Sequence, residues 1–170
     1  MDKVITTTML IVIGMVMSIL LFNTAYPAIA QSGDALTNMT YRADDRMKSQ
    51  IEIVHAAAEL DSSGWWQDIN GNGEFDTFIW VKNIGSTRIT PVESLDVFFG
   101  PEGEFVRIPH QSNAGGIHPY WTAEIENAND WTPTATIKIT VHYAFPLPTD
   151  QYYIKVTAPN GVSTEQLMGM

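Results

Sequence analysis

The chain has 170 residues, enough for one modest globular domain with an appendage and too few for two full domains. Cysteine is absent, which excludes a disulfide framework, a thiolate metal site and a thiol nucleophile. The formal net charge is −10, and from Asp61 onward thirteen acidic residues stand against five basic ones with no Lys/Arg cluster, which argues against a nucleic-acid partner.

The first element is apolar. Between Val4 and Gly33 there is no charged side chain, and at ~1.5 Å per residue the run from Val4 to Ala30 is long enough to cross a ~30 Å bilayer core. Leu10, Ile11, Val12, Ile13, Met15, Val16, Ile19, Leu20, Leu21 and Phe22 form its densest apolar stretch. Three roles fit such a segment: a permanent transmembrane helix, a cleavable secretory signal, and the stalk of a filament subunit that leaves the bilayer to pack among its own copies. Ala28-Ile29-Ala30 before Gln31, with Pro27 just upstream, satisfies the small-x-small cleavage pattern. Against cleavage stand an n-region of only Met1-Asp2-Lys3 and an apolar run longer than the ~7–15 residues of a signal core.

After Gly33, Leu36, Met39, Ala43, Met47, Ile51, Val54 and Ala58 recur at steps of three or four, while Asp44, Asp45, Arg46, Lys48 and Glu52 fall elsewhere on the helical wheel. This spacing predicts an amphipathic continuation of the helix to about Leu60, giving a helical segment over 1–60. Pro27 is a candidate kink and Asp34 a candidate N-cap for a break between 27 and 34.

Beyond Asp61 the period becomes two. Ile137, Ile139, Val141 and Tyr143 alternate with Lys138, Thr140 and His142, the pattern of a strand with one buried face. Further strands are predicted at Thr77–Lys82, Leu95–Phe99, Glu104–Ile108, Tyr120–Ile125 and Tyr152–Thr157, separated by Gly-, Pro- and Asn-rich turns. The expected fold class is α+β, a long N-terminal α-helix followed by an antiparallel immunoglobulin-like β-sandwich over 61–170. Trp65, Trp66, Trp80, Phe98, Phe99, Trp121, Trp131 and Tyr143 are expected to serve mainly as core or lateral-contact residues.

One loop has the donors for a hard cation. Asp68, Asn70, Asn72 and Asp76 occupy relative positions 1, 3, 5 and 9, with Gly73 at the sharp-turn position, so that these side chains and the Glu74 carbonyl are candidate calcium ligands. Position 12 is Ile79 in place of the bidentate Glu, so an EF-hand proper is not expected, and the competing reading is an Asn-Gly turn whose side chains satisfy their own backbone. Asn38-Met39-Thr40 is the single glycosylation sequon, and its place on the predicted stem favours a chance occurrence. His55, His110, His118 and His142 lack metal-ligand spacing, and no G-x-S-x-G, H-E-x-x-H or phosphate loop is present. The expectation is a non-enzyme.

Phe78-Ile-Trp-Val-Lys-Asn-Ile-Gly-Ser-Thr87, Leu95-Asp-Val-Phe-Phe-Gly100 and Tyr153-Ile-Lys-Val-Thr-Ala-Pro-Asn-Gly-Val-Ser163, together with the apolar start, resemble archaellins, the archaeal flagellins, and the minor components that share their fold. That resemblance implies a subunit of an extracellular motility filament, with helices in the core and β-sandwiches in the sheath, turned by an ATP-driven motor. Its implied partners are copies of itself, the membrane before assembly, and the motor or platform proteins. Such subunits are made with a short basic leader cut before the apolar helix, and no Lys/Arg-Gly site precedes Val4, so either the numbering begins at the mature end or the chain departs from that pattern. Position 5 is Ile, not the Glu that marks bacterial type IV pilins, which tilts the resemblance toward archaellins. Two further readings stay open: a membrane-anchored minor component whose sandwich docks on the cell envelope, and a secreted β-domain released by cleavage after Ala30.

Overall fold

The computed structural model describes residues 2–65 and 67–170. They divide into two compact units, one ending at Ala43 and the other running from Asp44 to Met170.

The first unit is helical. Helix α1, Asp2–Lys48, has 47 residues, contains Pro27, and buries none of its side chains. Pro27 removes one backbone donor and ends nothing, and Asp34 lies inside the helix, so the helix continues through 27–34 and the alternative of a break there does not occur. The hydroxyls of Thr6, Thr7, Thr8, Thr24, Ser32, Thr37 and Thr40 all bond back to the carbonyl four residues earlier. Polar side chains on an apolar helix are thereby satisfied within the helix itself, which is what a hydrocarbon environment demands.

The second unit holds eight strands. They are β1 (Ile51–Ala58), β2 (Phe75–Asn83), β3 (Asp96–Pro101), β4 (Val106–Ile108), β5 (Tyr120–Ile125), β6 (Thr136–Tyr143), β7 (Gln151–Thr157) and β8 (Ser163–Gly169). Two four-stranded sheets, in the orders β1-β2-β6-β5 and β4-β3-β7-β8, pair antiparallel throughout. The expected α+β class with an antiparallel sandwich is what the chain adopts. Between the sheets lie Ile79, Val81, Trp121, Ile137, Ile139 and Val141 from the first, and Val97, Phe99, Tyr152, Ile154 and Val156 from the second, all buried. Alternation along β2 and β6 sends Asp76, Phe78, Trp80 and Lys82, with Lys138, Thr140 and His142, to the opposite face.

The helix does not reach Leu60. It stops at Lys48, and residues 51–58 are a strand, so the boundary expected at 60/61 falls earlier. The reason is a conflict of periods: Met47, Ile51, Val54 and Ala58 fit a helix, but Ile51 and Ile53 also fit a strand, and only the strand buries both. Pairing with β2 (Ile51 opposite Asn83, Ile53 opposite Val81) decides it. The turn after β2 fixes the changeover, because Ile84 and Gly85 donate to the Gln50 carbonyl and Ser86 to that of Lys48. A Cβ on Gly85 would come within 2.5 Å of Gln50 N and 2.6 Å of Lys48 O. Only glycine lets these backbones approach so closely.

Candidate functional site

The second unit gathers its chemistry on the outer face of the first sheet. Asp76 on β2, His142 on β6 and Tyr120 on β5 sit opposite one another across successive ladders, so register alone brings a carboxylate, an imidazole and a phenol into one row. Glu74, just before β2, reaches into the same row. His142 Nδ1 lies 2.7 Å from Asp76 Oδ1 and 3.0 Å from Glu74 Oε2. Glu74 Oε1 accepts from the Tyr120 hydroxyl at 2.6 Å and lies 2.7 Å from His118 Nε2.

A residue on an outer sheet face is usually wet, yet Asp76 is only 2% exposed. The loop before β2 folds over it. Asn70 and Asn72 each point an amide Nδ2 at Asp76 Oδ2, at 3.0 and 3.2 Å. Their orientation is set by their other ends, since Asn70 Oδ1 accepts from Asn72 N and Asn72 Oδ1 from Glu74 N. Below the loop, Glu59 is 6% exposed, and its Oε1 accepts from the backbone of Ile69 and Asn70. Its Oε2 is buried without a hydrogen-bond partner among the described residues.

Burial by itself would raise the Glu74 carboxyl, but the hydrogen bonds from Tyr120 and His118 outweigh it and hold Glu74 below the usual carboxylate range. The same bond raises the Tyr120 phenol to about 12, with burial adding to the shift. Glu74 therefore stays an anion and Tyr120 a neutral donor at ordinary pH.

The five loop residues expected to bind calcium divide into two groups. Asp68 turns inward on its own loop, accepting from the backbone of Gly71, Asn72 and Gly73. Asn70 and Asn72 bridge from that turn to Asp76, whereas the side chains of Glu74 and Asp76 face His142. His118, Tyr120, Thr122 and His142 were not singled out by sequence. The strand alternation put His142 on the wet face, but only the ladder register shows which residues share that face with it.

Elsewhere, Leu10, Ile11, Val12, Ile13, Met15, Val16, Ile19, Leu20, Leu21 and Phe22 are all exposed on α1, as is the sequon residue Asn38. Trp121, Trp131 and Phe99 are buried, Trp65 is exposed, and Trp66 lies outside the described residues.

No family model matches the sequence, and comparison with curated proteins returns no match. Solved structures do match. The archaellum periplasmic stator protein FlaG from Sulfolobus acidocaldarius superposes with a TM-score of 0.55 at 25% identity, covering 71% of this chain and 99% of that one. The fold is that of archaellum proteins. A chain of the archaellum periplasmic stator complex of FlaF and FlaG from the same organism gives 0.53 at 24% identity, covering 70% of this chain and 88% of that one. The archaeal flagellin FlaB1 from Methanocaldococcus jannaschii gives 0.53 at 11% identity, covering 72% and 90%. Stator and flagellin archaellum proteins thus share one architecture, and the resemblance first carried by the strand motifs extends to the fold. Each of these solved chains is named as a stator component or a flagellin, none as an enzyme.

Proposed function

We propose that the chain is a membrane-anchored component of an archaellum, of the stator type, with α1 in the bilayer and the β-sandwich working on the outer side. The observation that carries this reading is the likeness to the stator protein over 99% of that chain at 25% identity, against 11% with the flagellin. An anchor fits α1, whose single apolar run is long enough to cross a membrane and is unburied within its own chain. The sandwich then meets its partners through protein surfaces, and no step of catalysis is required of it.

A second reading has its own observation. The same fold is a flagellin's, and ten consecutive-turn apolar side chains between Leu10 and Phe22 would bury a large area among copies of the helix, at ~25 cal/mol per Å². The chain would then polymerise into the filament. One fractionation separates the two. Cells are sheared, filaments are pelleted away from membranes, and an antibody against the sandwich locates the chain. The stator reading expects it in the membrane fraction at far lower abundance than the filament protein; recovery chiefly as the repeating subunit of sheared filaments overturns it in favour of the second.

A further inference from the structure

We propose that Glu74, Asp76 and His142 form a binding site for one divalent cation of the zinc class, held by His142 Nδ1 and one oxygen from each carboxylate. The proposal stands on the site's geometry and is independent of the archaellum reading.

Donor positions come first. The three ligand atoms lie within 4.8 Å of one another, and Nδ1 is 2.7 and 3.0 Å from the two carboxylate oxygens. Around a tetrahedral zinc with bonds of ~2.0–2.2 Å, ligand atoms stand roughly 3.4 Å apart. Seating the ion therefore needs the two carboxylate oxygens to move about half an ångström away from Nδ1. The cation would sit between the imidazole nitrogen and the two carboxylate oxygens that this nitrogen now contacts directly.

The outer partners provide an independent observation. A metal-binding imidazole has its other nitrogen held, and here His142 Nε2 lies 2.9 Å from Thr122 Oγ1. The spare oxygen of Glu74 is held by Tyr120 and His118, and that of Asp76 by Asn70 and Asn72. Each ligand thus keeps its remote atom fixed while its near atom faces the common point.

Charge supplies the third argument. Glu74 and Asp76, with the partnerless Oε2 of Glu59 under the same loop, concentrate three carboxylates in a largely dry region. Among the described residues their only ion-pair partners are His118 and His142. Buried anions require compensation, and a dication supplies it. Imidazole with two carboxylates suits zinc and its transition-metal neighbours. Calcium wants six to eight oxygens, whereas Asp68, Asn70 and Asn72 direct theirs to backbone N–H groups.

The test uses the full chain in detergent, stripped with chelator and titrated with zinc, cobalt(II), calcium or magnesium salts alone. Expected results are one equivalent of zinc bound per chain, a cobalt complex with the intense visible bands of a four-coordinate N/O site, and a zinc-dependent rise in Tm. His142→Gln should abolish binding, Thr122→Val should weaken it about tenfold, and His110→Gln, altering a histidine outside the cluster, should leave it unchanged. Wild-type protein that binds no zinc overturns the proposal. So does zinc binding that survives in His142→Gln or is lost in His110→Gln, or a Tm that rises with calcium and not with zinc. Should His142→Gln fail to fold, the wild-type zinc stoichiometry and the cobalt spectrum decide.

Discussion

Asp76 and His142 face each other across the β2–β6 ladder, 2.7 Å from oxygen to nitrogen, on the side of the sheet turned away from the hydrophobic core. The pair is dry because Asn70 and Asn72 close over it. Removing Asp76 therefore strands several donors at once. Asp76→Ala is expected to cost about 3 kcal/mol in metal-free buffer, since breaking one partner of a buried pair leaves the other uncompensated. Denaturant unfolding of the full chain in detergent measures it, and a loss below ~1 kcal/mol would contradict the hydrogen-bond arrangement.

Gly85, in the turn after β2, packs directly against the backbone of Lys48–Gln50, leaving no room for a Cβ. Its replacement by alanine drives a methyl group into Gln50 N and Lys48 O, both of them backbone atoms that cannot swing aside. Gly85→Ala should destabilise by at least the ~1–3 kcal/mol typical of overpacking. Gly103→Ala is the comparison: there the space is open but φ is +90, so strain acts without a clash.

Trp131 is 1% exposed, and its indole Nε1 has no hydrogen-bond partner among the described residues, while its carbonyl accepts from Asn83 Nδ2 and Ile89 N. The fold uses its volume and its backbone, not its N–H. Trp131→Phe should cost under ~1.5 kcal/mol, because it removes an unsatisfied donor along with some packing. Trp131→Ala should cost ~3–5 kcal/mol. Equal losses in the two variants would mean that the indole N–H is bonded after all.

Tyr152 is fully buried, with its hydroxyl donating to the Pro148 carbonyl at 2.7 Å. Burial, reinforced by Asp150, raises its phenol above the ordinary value. A raised folded value favours the neutral form, so this contribution is intact below ~10, the unfolded value, and is lost as pH climbs through the folded one. Alkaline unfolding should accordingly be shallower in Tyr152→Phe than in wild type. Stability of the two proteins measured from neutral to strongly alkaline pH checks this; parallel curves would refute it.

Ile13 lies near the middle of the uncharged run and is 55% exposed on α1. If the run is a membrane anchor, Ile13→Lys should oppose insertion by ~2.5–3.5 kcal/mol and shift a large share of the chain out of the membrane fraction. Val54→Lys on the exposed face of β1 should shift none.

Much of the sandwich was legible in its strands. Alternation in Ile137–Tyr143 identified β6, because one face meets the core and sequence records that directly, and a β-rich run between turns identified β5. At β8 the signal fails: Ser-Thr-Glu-Gln-Leu-Met-Gly is an edge strand with only Met168 buried, so nothing in it alternates. β1 failed for the opposite reason, offering two periods together, with three alanines that favour helix on propensity. The candidate site was half legible. Glu74 and Asp76 belong to a visible acidic Asn-Gly loop, but His142 is 66 positions from Asp76 and meets it only through the register of β2 on β6. Spacing along the chain carries no trace of that register.

The dependence of β1 on the turn that follows β2 also sets an order of events during synthesis. Residues 49–58 emerge well before residues 75–86, and among the described residues β2 is the only strand with which β1 pairs. Until that partner arrives, the segment has no ladder to join, and its three-and-four spacing allows the helix to run on past Lys48. A local helix-to-strand conversion on arrival of that neighbour is the expected consequence. A chain truncated just before Phe75 should retain more helix, by circular dichroism in detergent, than α1 alone accounts for; the full chain should not.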